Sequence, residues 1–401
     1  MVVTDTGQPD AQPRQGGRAG WAVLVAYAAV VGCTQMLWLT FAPIDTDAAR
    51  DFGVSKNAVG WLAQVFPLMY VVLALPAGVA LDRWFRRSLM MGAGLTALGA
   101  VIRLVSQTFL GALAGQLVVA VAQPLVLNAL TKTATGYLPE NERPAGIAVG
   151  SATQFLGAFL ALAMGPLLEG RHDLGTLLEV QAAISVIAAA ALAVGLRRAP
   201  NSEGPPAAIG VAEMRAVWAV DLIRRLAWLA FVGVGVFVAL STWLQPILHH
   251  DQISSDAAGA MLAGMLLAGI IGCVVIPPAI ARAGAERRYL MTAVTWVCGC
   301  CIALAIFHRV VAADVILIAA LGFVLLAALP VMLELIERSM GASGGVATGT
   351  VLLVGNAGGL VVAVTVGALV DLPAVAFVVL AIVALLGLPA ARRVPVTPRK
   401  P

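Results

Sequence analysis

A succession of apolar runs, each near the ~20 residues a helix needs to cross a bilayer, fills this chain from residue 21 to residue 391. Hydrocarbon offers no water to backbone N–H and C=O groups, so a spanning segment must pair them within a helix or around a closed barrel. Barrel strands alternate apolar and polar residues over about ten positions, and these runs do not alternate. Charged residues make up 11% of the chain, against about 25% in soluble domains, too few to cover a water-exposed surface. These features imply an all-α membrane protein.

Twelve spanning helices are predicted, at 21–44, 59–81, 88–105, 109–130, 145–168, 174–196, 226–248, 257–281, 289–307, 315–336, 346–370 and 373–391. Lys and Arg collect on the cytoplasmic side of membrane proteins. With the N-terminus placed there, that side holds Arg14, Arg18, Arg83, Arg86, Arg87, Arg143, Arg197, Arg198, Arg215, Arg224 and Arg225 of the first seven spans. It also holds Arg282, Arg287, Arg288, Arg338, Arg392, Arg393, Arg399 and Lys400, while the opposite side has only Arg50, Lys56, Arg171 and Arg309. One helix more or fewer scrambles this asymmetry, so a multi-pass cell-membrane protein with both termini cytoplasmic is expected. The net charge of +4 is then topological anchoring, and no nucleic-acid partner is expected.

Residues 1–20 are polar and rich in Gly, Pro and Gln, and read as a disordered cytoplasmic tail. The apolar run after them is too long for a signal-peptide core. Residues 198–225 form a linker in which 211–226 is amphipathic, with Arg215, Arg224 and Arg225 beside Met214, Val217 and Trp218, the pattern of an interfacial helix. The linker separates an N-terminal bundle, 21–197, from a C-terminal bundle, 226–391, followed by a tail at 392–401.

The bundles echo each other weakly. Pro76-Ala-Gly-Val-Ala-Leu-Asp-Arg is answered by Pro278-Ala-Ile-Ala-Arg282, Arg86-Arg87 by Arg287-Arg288, and Gln154-Phe-Leu-Gly157 by Asn356-Ala-Gly-Gly359. Two related six-helix halves are a transporter architecture. Gly78, Asp82, Arg83, Arg86 and Arg87 are spaced Gly-x-x-x-Asp-Arg-x-x-Arg-Arg. That spacing resembles the loop between helices 2 and 3 of major facilitator superfamily transporters, which implies twelve helices in two pseudo-symmetric six-helix bundles. Asp82 and the arginines read as a cytoplasmic gate latch, or as a positively anchored hairpin.

Polar groups inside a membrane mark cavities, partners or ion pathways. Candidates are Gln116, Gln123 and Asn128 in the fourth span, Gln154 in the fifth and Asn356 in the eleventh, each a helix–helix tie or a substrate contact. Gln154 and Asn356 occupy matching places in the repeat. Arg103 and Glu334 are the strongest intramembrane charges, able to pair with each other, bind substrate or carry a proton. Glu179 lies near an outer helix end. Trp38, Phe41, Phe66, Tyr70, Phe237 and Trp243 form either an interfacial belt or a cage that holds a cation over ring faces. Pro43, Pro124, Pro246 and Pro330 are expected to kink their helices.

His172, His249, His250 and His308 fall in outer loops, and the five cysteines lie inside apolar runs, so no metal is expected. No phosphate loop, His-Glu metalloprotease motif or nucleophile elbow is present, so neither an enzyme nor a cofactor is expected.

The N-terminal half is similar to the feline leukemia virus subgroup C receptor-related transporters, carriers linked to choline, ethanolamine and haem. The resemblance runs through Trp61-Leu62, Val65-Phe66, Tyr70-Val71, Pro76-Ala77, Leu81-Asp82, Gly115-Gln116, Ala122-Gln123 and Gln154-Phe-Leu-Gly157. It continues more sparsely through Ser241-Thr242, Leu329-Pro330, Glu334 and Asn356. It implies that Trp38 takes the place of the family's cage tryptophan and Gln154 that of a choline-contacting glutamine. The helix-7 cage tyrosine falls on Val238, beside Phe237, and the second amide is Asn rather than Gln.

The expected function is alternating-access transport of a small organic solute, including organic cations of the choline kind. Substrate is placed at Trp38, Tyr70, Gln123, Gln154, Phe237 and Asn356. Gating or coupling is placed at Asp82, Arg83, Arg86, Arg87, Arg103 and Glu334. A proton-coupled exporter of small amphiphiles and a non-transporting membrane receptor or sensor are the alternatives. The expected partners are a small molecule, the bilayer and a coupling proton, with the chain a monomer.

Overall fold

A computed structural model describes residues 16–169, 174–198, 211–249, 253, 255–307 and 310–395, and all the regular structure in them is helical. The tails at 1–15 and 396–401, the linker at 199–210, and His172, His250 and His308 lie outside the described residues.

Helix α1 (Gly16–Trp38) has 23 residues, about 35 Å at 1.5 Å per residue, enough for one crossing of ~30 Å. It stops short of residue 44. The Thr40 hydroxyl competes for the Met36 and Leu37 carbonyls, 3.1 Å away, and Pro43 enters a 3₁₀ turn at Ala42–Ile44. Pro43 therefore follows the helix and does not kink it. A short helix, α2 (Asp45–Phe52), comes next and is closed by Gly53 at φ 65°; the apolar runs gave no sign of it.

Helix α3 (Lys56–Val105) has 50 residues, about 75 Å if straight. It is not straight. Trp84 leaves helical geometry at φ −137°, ψ 54°, and the Ser88 hydroxyl reaches the Ala80 carbonyl at 3.0 Å, whereas eight residues of helix span about 12 Å. The second and third predicted spans are the two arms of α3, joined at Trp84 with no intervening loop. Eleven helices in the described residues are long and apolar enough to cross a membrane, and the 48-residue stretch Ala58–Val105, bent at Trp84, is long enough for two crossings, which makes twelve among the described residues.

The first half is completed by α4 (Phe109–Leu127), α5 (Leu130–Tyr137), α6 (Arg143–Glu169) and α7 (Leu174–Gly195). Helix α8 (Val211–Ala219) lies in the linker with Val217 buried and Trp218 exposed. It is shorter than the expected 211–226, because the seventh crossing, α9 (Asp221–His249), already starts at Asp221. Then come α10 (Ser255–Ala283), α11 (Glu286–Phe307), α12 (Val311–Leu325), α13 (Ala328–Met340), α14 (Gly344–Gly367), α15 (Pro373–Leu385) and α16 (Leu388–Arg392).

The halves repeat in detail. The fourth crossing breaks at Asn128–Ala129, between α4 and α5, and the tenth at Leu326–Ala327, between α12 and α13. Pro330 sits in the first turn of α13, where its missing N–H leaves no helical bond unmade. Close helix crossings repeat as well. A Cβ on Gly157 would lie 2.0 Å from the Gly32 carbonyl oxygen, and one on Gly358 would lie 2.1 Å from that of Phe231, so α1 meets α6 and α9 meets α14 through a bare glycine. The halves themselves meet along α3 with α14 and α6 with α10.

Candidate functional site

Cavity lining begins with residues that each crossing turns inward. Gln35 and Trp38 come from α1, Phe66 from α3, Gln123 from α4, Gln154 and Phe155 from α6, Phe237 from α9 and Asn356 from α14; all of them line one cavity between the halves. No Asp, Glu, Lys or Arg lines it. Trp38 donates its indole N–H to the Ala63 carbonyl at 2.9 Å and tilts 40° against Phe66, 6.5 Å away. Phe155 and Phe237 meet edge to face across the halves at 5.7 Å. The Asn356 amide donates to the Leu352 carbonyl at 2.9 Å. Gln123 is 5% exposed, and neither it nor Gln154 has a side-chain partner among the described residues. Both amides line the cavity, where a ligand or water can pair with them.

Three aromatic candidates lie elsewhere: Tyr70, Trp243 and Phe41, the last against Phe52 and Arg103. Tyr70 is fully buried and donates to the Asn128 side-chain carbonyl at 2.6 Å, while the Asn128 amide donates to the Ala74 carbonyl at 2.8 Å. The pair ties α3 to the break after α4 and leaves Tyr70 behind the cavity wall. Trp243 donates to the Ala363 carbonyl at 2.7 Å, within the second half.

Arg103 and Glu334 do not pair. Arg103 is 1% exposed. It donates to the Leu37 carbonyl at 3.2 Å, Thr40 at 3.1 Å, Gln116 at 3.0 Å and Gln181 at 3.1 Å. Its guanidinium also lies 5.6 Å from the centre of the Phe41 ring. Neutral dipoles from α1, α4 and α7 thus surround an arginine of α3, and Gln116 passes the network back to the Leu62 carbonyl at 3.3 Å. Glu334 is bound by Arg338, which also donates to Glu286 at 3.1 Å.

The cavity's wall closes at the end that carries Asp82. The Asp82 carboxylate pairs with Lys132 and accepts from the Val346 N–H at 3.1 Å, in the first turn of α14, where the helix dipole favours an anion. A Cβ on Gly345 would lie 2.3 Å from Asp82 Oδ1, so glycine is what lets α14 approach. Gly78 adds to the fit, its Cβ position being 3.1 Å from the Gly345 carbonyl oxygen. Arg143 pairs with Glu337 at 3.3 Å, and the Thr131 and Thr348 hydroxyls lie 3.4 Å apart. A single buried cluster at this end, including Leu81, Leu130, Ile147, Ile336 and Val346, draws on both halves.

The three arginines of the motif behave differently. Arg83 lies over the Trp84 ring at 4.7 Å, Arg86 donates to the Leu196 carbonyl of the first half, and Arg87 is exposed. Asp82 is the residue of the motif that bonds to the second half. Lys132, Arg143, Glu337 and Gly345, which make or permit that junction, went unassigned in the sequence. Arg143 and Glu337 lie far apart along the chain, and a glycine's role shows only once its neighbour is known.

A profile of the Major Facilitator Superfamily matches residues 23–363. The chain belongs to this superfamily. Among relatives of this facilitator, Solute carrier family 49 member A3 of Danio rerio is 27% identical over 318 residues, covering 75% of this chain and 67% of that one. Choline/ethanolamine transporter FLVCR2 of Homo sapiens is 24% identical over 282 residues, covering 64% of this chain and 54% of that one. The human organic anion transporter MFSD10 (TETRAN) superposes with a TM-score of 0.79 at 15% identity, covering 95% of this facilitator and all of that chain. FucP in the outward conformation gives 0.72 at 17% identity, covering 93% and 100%. Both likenesses are of fold.

Proposed function

We propose that this facilitator carries a small organic solute, cationic or neutral at its head, across the cell membrane by alternating access, with both termini cytoplasmic. The observation that carries the reading is the charge-free cavity between the halves, walled by unpartnered amides and aromatic rings. Ring faces and amide carbonyls stabilise an ammonium group without a carboxylate, each ring contributing about 0.5–2 kcal/mol, and one relative is a choline/ethanolamine transporter. Trp38, Gln123, Gln154, Phe237 and Asn356 hold the solute, Tyr70 braces the wall, and Asp82 with Lys132 seals the cytoplasmic end. This arrangement corresponds to an outward-facing or occluded state.

Uptake of labelled choline and ethanolamine into proteoliposomes tests the reading. Gln154→Ala, Asn356→Ala and Trp38→Ala should each weaken apparent affinity about 2- to 10-fold, the range of one lost hydrogen bond or ring contact. Uptake unchanged in all three sinks the site. A second reading, proton coupling, rests on two carboxylates, Glu334 and Glu286, meeting at Arg338 within the second half, since neighbouring carboxylates favour taking up a proton. Collapse of the pH gradient then stops uptake, whereas a uniporter does not respond.

A further inference from the structure

The cavity does not end at the cleft between the halves. Its polar end is the set of amides and rings already described. Most of the rest of its wall is aliphatic and comes from the second half: Val236 of α9, Ala293 and Val297 of α11, Met332 of α13 and Ala384 of α15 are among its residues. Helix α11 packs on α10, α12, α13, α15 and α16, and α15 packs on α9, α11 and α14. These are elements of the second half, so α11 and α15 stand away from the junction with the first. Their presence in the wall means that the space leaves the cleft and runs sideways into the C-terminal bundle.

Length points the same way. The cavity also extends along α11. Leu290 and Val297 both line it, and seven residues of helix cover about 10 Å. A compact ammonium head fills only the polar end. No charged side chain among the described residues lines the remainder, and Ala293, Val297 and Ala384 are 4%, 2% and 2% exposed, so the arm is apolar. An apolar space favours an apolar occupant over water.

We propose that this arm receives the apolar tail of an amphiphilic substrate whose head binds at Trp38, Gln154 and Asn356. The proposal rests on the transport reading above and narrows its substrate class to molecules with a head and a linear or small cyclic hydrocarbon tail. The head fixes orientation across the two halves, and the tail is held by one half alone. That half therefore carries the tail as it rocks.

The test is a chain-length series of n-alkyltrimethylammonium ions, from methyl to dodecyl, binding to the full chain in phosphatidylcholine nanodiscs. Each methylene that enters the arm should tighten binding about fourfold, the fold-change of burying one CH₂, until the arm is full and the series levels. Ala293→Phe and, independently, Ala384→Phe fill the arm, so they should flatten the series while tetramethylammonium binds as in the unaltered protein. Equal tetramethylammonium binding also reports that each variant is folded. A flat series in the unaltered protein, with tetramethylammonium bound and transported, overturns the arm and leaves the transport reading standing. A series that rises identically in unaltered and plugged proteins reports partitioning into lipid and overturns the arm too. Absence of binding and uptake for every member overturns both.

Discussion

Asp82→Ala should unlock one end of the molecule by an amount that can be worked out. Asp82 and Lys132 both belong to the first half, so their ion pair persists whichever way the halves rock. What exists only in the closed arrangement is the bond from the Val346 N–H of α14 to the Asp82 carboxylate, 3.1 Å long. A hydrogen bond to a charged group contributes about 1.5–3 kcal/mol. Because the open state lacks it, the whole amount enters the equilibrium between the two arrangements, a shift of about 10- to 150-fold. Loss of the carboxylate also leaves Lys132 facing the positive end of α14, which acts in the same direction. The assay is labelling of a cysteine placed at the junction by Thr348→Cys, a fully buried position, with a maleimide applied from the cytoplasmic side of inside-out vesicles. Labelling should accelerate about 10- to 150-fold in the Asp82→Ala background and by less in Asp82→Asn, whose side-chain carbonyl still accepts the bond. Equal labelling rates with and without Asp82 would show that the junction is held by its apolar cluster alone.

Arg143→Gln removes the other charged tie between the halves; with both side chains part-exposed, at 27% and 13%, the effect should be about 1 kcal/mol or less, a severalfold rise in the same labelling rate. Gly345→Ala puts a methyl where Asp82 Oδ1 stands and should open the end at least as far as Asp82→Ala. Arg103→Met leaves Thr40, Gln116 and Gln181 without their shared donor and should lower stability by about 1–3 kcal/mol for each acceptor left unpaired, measured by unfolding in detergent, with little change in the pH-gradient dependence of uptake. Gly157→Ala meets the Gly32 carbonyl oxygen and should destabilise the first half, again read by thermal unfolding, whereas Gly94→Ala, with nothing within 4 Å, should not.

The twelve crossings were legible because lipid imposes one requirement, internal backbone pairing over a fixed length, and apolar runs state it openly. What happens where crossings end was less legible. Trp84 turns the chain without a Gly or Pro to announce it, and Thr40 ends α1 by a side-chain bond that no periodicity records. Trp38, Gln123, Gln154, Phe237 and Asn356, which line one cavity, were singled out because amides and aromatics are scarce in these helices and their placement stands out. Tyr70 was misplaced for the same reason: a scarce residue is not always a cavity residue, and its hydroxyl was already committed to Asn128. Lys132 was passed over because a lysine at a helix end has many uses, and its partner on α3 is identified only by the fold.

Charge and recognition turn out to occupy different places in this molecule. Several charged groups are engaged outside the cavity: Arg103 holds four carbonyl and hydroxyl oxygens within the first half, Arg338 holds two carboxylates within the second, and Asp82 joins one half to the other. The cavity contains amides, rings and aliphatic wall. Solute entering it therefore meets no fixed charge whose loss or gain would itself drive the halves apart. On the proposed reading, the solute acts through contact made by both halves at once, with Gln154 and Phe155 on one side and Phe237 and Asn356 on the other. A ligand shifts a two-state equilibrium only by its differential affinity for the two states. Residues that touch it from opposite halves, rather than those that bind it most tightly, are accordingly the ones that should govern transport rate.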